Sequence, residues 1–176
     1  MDVTFKTENG RFNYRVAGIL IYENQLLVMT DERSPYCYLP GGRVSMHELS
    51  TEAIKREIRE ELEIEVEVER LLWMVENLFT EQQSGERFHE IGFYYLLRLK
   101  DEELFKRGQQ FIMTEGDSHK LTFYWKSIDE VKDLIFYPLF IKDRIANLPQ
   151  LLEHIVEIKS STFKFVLFCK RKEMLF

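Results

Sequence analysis

Between Ser50 and Glu69 the spacing of apolar residues changes period without a break, and that change constrains the fold more than any other feature of the chain. Ile54, Ile58 and Leu62 stand at i, i+4 and i+8, one apolar stripe on a helix running from about Glu48 to Leu62. From Leu62 the period is two: Leu62, Ile64, Val66 and Val68 alternate with Glu61, Glu63, Glu65, Glu67 and Glu69, the pattern of a half-exposed strand. Strands are also expected before the helix. Tyr14 to Tyr22 reads as a buried strand, Glu23-Asn24 as a turn, and Gln25 to Met29 as the returning arm of a hairpin. Further strands are expected at about Leu71 to Thr80, Arg87 to Leu99 and Leu121 to Lys126, and helices at Ile128 to Leu134 and from Leu139 through Glu157. Strands on both sides of an amphipathic helix, with more helix at the end, predict a mixed sheet between helical layers.

The helix carries a second pattern. At 100° per residue Glu57, Glu60 and Glu61 fall within an arc of about 100°, adjoining the Ile54/Ile58 stripe. Like charges at this spacing repel by a few tenths of a kcal/mol, and the helix C-terminus adds to the repulsion. Partial burial raises the carboxyl pKa values further. A divalent cation removes the conflict, and carboxylate oxygens with water are the ligands that Mg²⁺ prefers. The same acids are also compatible with a solvated helix face.

What favours the first reading is the run around them. Gly42, Glu48, Arg56, Glu57, Ile58, Glu60, Glu61 and Ile64 match the pattern G-x5-E-x7-R-E-U-x-E-E-x-G-U, where U is a bulky aliphatic residue. This run resembles the Nudix box of the Nudix hydrolases, and it departs only at Glu63, which stands in place of the second glycine. Leu39-Pro40-Gly41-Gly42, the hairpin before it and the strands after it extend the likeness over about Tyr14 to Asn147. A glycine just past a helix usually takes the left-handed conformation, so Glu63 costs roughly 1 kcal/mol there or makes the chain leave the helix differently.

The resemblance implies an α/β (α+β) fold, the Nudix-type α/β/α sandwich with a mixed β-sheet, over residues 1–147. Residues 148–176 form a C-terminal extension packed on the same domain as a helix with a further β-prone stretch, Phe163 to Phe168, that completes the core or contacts a second copy in a homodimer. It implies a pyrophosphohydrolase that uses Mg²⁺, with Mn²⁺ as a substitute, to cleave the diphosphate linkage of a nucleoside diphosphate derivative. Oxidised nucleoside triphosphates, ADP-ribose, dinucleotides and nucleotide sugars are all open as substrates. A Nudix-fold nucleotide-binding or regulatory module without catalysis is the alternative. By the same resemblance Glu57, Glu60 and Glu61 hold the metal together with the Gly41 carbonyl. Arg56 orients the carboxylates by pairing with Glu48 or Glu60. The general base is a box glutamate, Glu115 in a loop-like stretch before the Leu121 strand, or Glu90 one strand earlier. Arg33 and Arg43 flank the Pro-Gly-Gly turn as phosphate contacts, and Tyr36 and Tyr38 adjoin it as stacking partners for a base. Trp73 and Trp125 are expected in the core, and His89 at a core edge.

Composition bears on partners and compartment. Lys and Arg total 24 against 30 Asp and Glu, a formal net charge of −6, which argues against a nucleic-acid scaffold. The excess is local, with seven Glu against one Arg between Glu57 and Glu69. Cys37 and Cys169 stand far apart without metal-ligand spacing and read as reduced thiols. The start of the chain has no leader pattern and no apolar run is long enough to span a bilayer, so the cytoplasm is the expected compartment and no membrane partner is expected.

Overall fold

In the computed structural model, residues 1–32, 34, 36–81, 84–116, 118–159 and 164–168 are described. Nine strands form one mixed sheet. In chain order the elements are β1 (Thr4–Thr7), β2 (Gly10–Tyr22), β3 (Gln25–Asp31), α1 (Ser50–Leu62), β4 (Val66–Thr80), β5 (Arg87–Leu99), α2 (Glu103–Lys106), β6 (Gln110–Glu115), β7 (His119–Ser127), α3 (Ile128–Val131), α4 (Phe140–Arg144), β8 (Glu153–Lys159) and β9 (Lys164–Phe168). The sheet order is β6-β7-β3-β2-β5-β4-β8-β9, with β1 paired to β2. The β2·β5 and β4·β8 pairs are parallel and the other pairs antiparallel.

The hairpin forms where expected, because Glu23 and Asn24 both adopt positive φ (46° and 62°), matching the twist of the flanking strands. Beyond it β2 and β3 diverge, and residues 38–44 enter the gap: Tyr38 bridges to Met29, while Val16 and Gly18 of β2 donate to the carbonyls of Gly42 and Pro40. The Pro-Gly-Gly turn is thereby built into the sheet.

Each face of the sheet has its own core. Val16, Leu20, Leu27 and Met29 pack against Ala53, Ile54, Ile58 and Leu62, the stripe of α1. Ala17, Ile19, Val28, Trp73 and Tyr94 pack on the other face against Val131, Phe136, Phe140 and Ile141. This is the expected sandwich.

The segment after α1 forms one strand rather than two. β4 runs unbroken from Val66 to Thr80, with irregularities between Val68 and Arg70 and between Leu71 and Trp73 that shift its register against β5. Glu63 does end the helix as a glycine would, at φ 55° and ψ 36°, its N–H bonded to the Arg59 carbonyl at 2.9 Å. The expected helix from Leu139 through Glu157 is a correction: only Phe140–Arg144 is helical, and Glu153–Lys159 is a strand paired in parallel with β4. The Phe163 to Phe168 stretch is a strand from Lys164, antiparallel to β8, and Phe163 lies outside the described residues.

Glu157 explains why this end of the chain belongs to the fold. It is 1% exposed, and its two carboxylate oxygens accept the N–H groups of Leu139 and Phe140 at 3.0 and 2.9 Å, satisfying the start of α4. Glu157→Leu leaves both donors buried without an acceptor and is expected to lower stability by about 2–4 kcal/mol. The check is the urea midpoint at unchanged denaturant slope.

Candidate active site on the glycine turn

Both glycines of the turn are required by what surrounds them. A Cβ on Gly41 would fall on the Val16 carbonyl oxygen and 2.9 Å from the Ala17 Cα, at a φ of +135° that L residues rarely adopt. A Cβ on Gly42 would fall on the Glu57 carboxylate. Gly42 thus leaves a hollow that Glu57 fills, and Gly41 donates its N–H to Glu61 Oε2 at 3.0 Å. Glu57 and Glu61 are buried, while Glu60 is half-exposed and accepts from Arg56.

Arg56 holds this group together. Its Nε and Nη2 form a two-pronged bond to Glu48 (2.7 and 3.0 Å), its Nη1 bonds Glu57 (2.8 Å) and Glu60 (3.0 Å), and Nη2 also reaches the Arg43 carbonyl (3.0 Å). It pairs with both expected partners and with Glu57 as well, so every prong of its fork is used. The bond to Arg56 holds the Glu48 carboxyl below its ordinary range. Burial pushes the Glu57 carboxyl up against the opposing pull of Arg56.

Among the described residues no three acidic, His or Cys side chains already converge on one point, because Arg56 lies among the carboxylates and Glu61 is engaged with the turn. The donor set nevertheless suits a hard divalent cation: oxygen donors only, one of them cradled where no side chain but glycine's hydrogen fits. The Gly41 carbonyl accepts from Arg15 Nη2 at 3.0 Å, which uses one of its two lone pairs.

The remaining expected residues divide. Glu90 is buried on β5 and accepts from Asn13 Nδ2 at 3.3 Å; Asn13 in turn accepts from Arg43 Nε at 3.2 Å, linking Glu90 to the turn. Arg43 is otherwise exposed, with Asp2 at 3.8 Å. Glu115 lies not in a loop but at the end of β6, in register with His119, and its side chain lies outside the described residues. Arg33 also lies outside them. Tyr38 donates to Asp31 Oδ2 at 2.8 Å, and burial with that bond raises its phenol pKa. Tyr36 meets the edge of Tyr137 at 4.9 Å and of Tyr38 at 6.2 Å, so the three tyrosines form one cluster that reaches the site through Tyr38. Trp73 and Trp125 are core residues, as expected. His89 is exposed and set obliquely to Phe12 at 6.0 Å between ring centres, rather than at a core edge.

Sequence reasoning missed Arg15, Asn13 and Tyr137. For Arg15 a signal existed: it is the sole charged residue between Tyr14 and Tyr22, in an otherwise apolar strand. Two shallow clefts, of about 410 and 530 Å³, lie along Ile21, Leu96–Glu102 and along Phe5, Phe12, Phe88, away from the box.

A mixed sheet between helical layers, with the carboxylates of one helix gathered on a glycine turn, is the architecture of a Nudix-type pyrophosphohydrolase. The NUDIX domain model matches residues 13–143, and the chain belongs to that family, whose members generally use divalent metal ions and small nucleotide substrates. Solved structures share the fold. The mutator MutT protein from Bacillus halodurans is 17% identical, covering 83% of this chain and 90% of that one at a TM-score of 0.57. An ADP-ribose pyrophosphatase from Streptococcus suis 89-1591 is 15% identical, covering 82% and 98% at 0.54. A NUDIX hydrolase from Nitrosomonas europaea is 18% identical, covering 86% and 82% at 0.53. No curated protein sequence matches the chain. Among the described residues no helix is long and apolar enough to cross a membrane.

Proposed function

We propose that this protein hydrolyses the diphosphate linkage of a nucleoside diphosphate derivative with Mg²⁺, Mn²⁺ being a substitute. The observation that carries the reading is the fit between Gly42 and Glu57: a buried carboxylate is lodged where any side chain on the turn would displace it. Glu57, Glu60, Glu61 and the Gly41 carbonyl would hold the cation. A bound cation supplies charge neutralisation at the diphosphate and activates water. Arg56 positions Glu48, Glu57 and Glu60 through five hydrogen-bonding contacts, including the Arg43 carbonyl that ties the helix to the turn. Glu90, a box glutamate and Glu115 remain the candidates for the base. Arg43, Tyr36 and Tyr38, at the rim of the turn, contact the substrate.

The domain of residues 1–147 is taken to act together with residues 148–176 as one unit, in a reducing cytoplasm. A homodimer through the C-terminal edge is tested by mass in solution. Nucleoside triphosphates and ADP-ribose head the substrate panel, with products identified by ³¹P NMR. In Mg²⁺ the wild type is expected to turn over at least one of them, and Glu60→Gln to lose at least about tenfold in kcat. Equal, slow release by wild type and Glu60→Gln would end the hydrolase reading.

A further inference from the structure

Arg15 is a half-buried guanidinium with most of its donors unused. Among the described residues its one hydrogen bond runs from Nη2 to the Gly41 carbonyl, and no carboxylate lies within 4.0 Å. Glu90 and Glu61 act on it from further away. Were Arg15 simply the counter-ion of Glu90, the two would be expected to bond; instead Asn13 bonds Glu90. A guanidinium carries five N–H donors in a planar fork, and removing it partly from water without partners is unfavourable.

Arg15 stands opposite Gly92 of β5, and the ring of Tyr94 lies over that glycine, while Asn13 and Glu90 form the neighbouring register pair. On its other side Arg15 bridges to Arg43, the residue after the glycine turn. Arg56 has no donor to spare, since Glu48, Glu57, Glu60 and the Arg43 carbonyl take them all. Five carboxylates, Glu48, Glu57, Glu60, Glu61 and Glu90, line the region into which an anionic substrate must come. A fork with free prongs at the turn supplies the opposite charge and matches the geometry of phosphoryl oxygens.

We propose that Arg15 is a phosphate-recognition residue: its free guanidinium N–H groups bind non-bridging phosphoryl oxygens of the substrate beside the Gly41-Gly42 turn. This rests on the hydrolase reading, whose own test is turnover; the test of Arg15 is binding. Inorganic pyrophosphate is the probe, titrated calorimetrically in Mg²⁺ buffer at low ionic strength. Arg15→Gln is expected to weaken its binding at least about tenfold, and Arg15→Lys to recover part of the loss. Arg59→Gln, an equal change of charge on an exposed residue paired with Glu65, is expected to leave it unchanged. Glu90→Gln keeps the acceptor for Asn13 while removing the competing charge, and is expected to tighten pyrophosphate binding several-fold. That gain is expected to vanish in Arg15→Gln/Glu90→Gln, whereas a residue that only tethers the turn would leave it intact. Arg15→Lys, which keeps the charge and a donor for the Gly41 carbonyl but loses the fork, is expected to bind pyrophosphate more weakly than wild type and reports even where Arg15→Gln fails to fold. Pyrophosphate affinity that is the same in Arg15→Gln and wild type, or a Glu90→Gln protein that binds no tighter, overturns the assignment. Either result leaves a measured turnover standing.

Discussion

Gly42→Ala is expected to keep the fold and lose the reaction. The added Cβ meets the end of a flexible side chain, the Glu57 carboxylate, and no backbone lies in its way among the nearest atoms. Glu57 can swing aside at small cost, so the melting temperature should change by no more than the equivalent of about 1 kcal/mol. Its carboxylate then leaves the hollow, and with it the bond to Arg56 that fixes its direction. Displacing a group that orients metal ligands typically lowers metal affinity or activity 10–100-fold, and a loss of about 100-fold in kcat/KM is expected here. A second readout separates this from damage to the fold: the rise in melting temperature on adding Mg²⁺ should shrink in the variant. A variant with wild-type turnover would show that Glu57 does its work from elsewhere.

Gly41→Ala, one residue earlier, is expected to fail in the opposite manner. Its Cβ meets the carbonyl oxygen of Val16 and the Cα of Ala17, which are backbone atoms of β2 and have no rotamer to change. The backbone conformation, φ +135°, adds its own strain. Left-handed strain of about 1–2 kcal/mol and overpacking of about 1–3 kcal/mol together give a loss of roughly 2–5 kcal/mol. That is a large share of a typical domain's stability of about 5–15 kcal/mol, and the melting temperature should fall by roughly 10 °C. A protein melting within 2 °C or so of wild type would show that the turn relaxes away from β2.

The box helix was legible because two independent signals coincide on it, the Ile54/Ile58/Leu62 stripe and the spacing of its glutamates. The hairpin at Glu23-Asn24 and the limits of β5, Arg87–Leu99, were legible because apolar runs there end in turn formers or charge. β8 was not, and Glu157 shows why. In β8 the buried positions are Ile155 and Glu157, so a carboxylate occupies an inward site and breaks the alternation that identifies a strand. Its reason for being inward, the N–H groups of Leu139 and Phe140, lies 18 and 17 residues away, beyond any local window. Arg15 was half legible: its lone charge in an apolar strand marks it locally, but its partner, the Gly41 carbonyl, lies 26 residues away. Glu63 was legible as a difficulty and resolved as one, the chain taking the left-handed turn without glycine.

The cap that Glu157 places on α4 also orders events in time. β2 pairs in parallel with β5 and β4 with β8, so residues such as Asn13 and Glu90, or Asn77 and Glu157, meet only after some 80 residues of chain have been made between them. Such distant pairings slow folding relative to helical bundles of the same size. On the ribosome, where chains are made at roughly 5–20 residues per second, the acceptor that satisfies Leu139 and Phe140 is added about 1–4 s after them. Phe140 itself lies over Trp73 and Tyr94, with ring centres 5.4 and 5.1 Å away. The seating of α4 on that face is therefore completed by one of the last strands of the chain to be made.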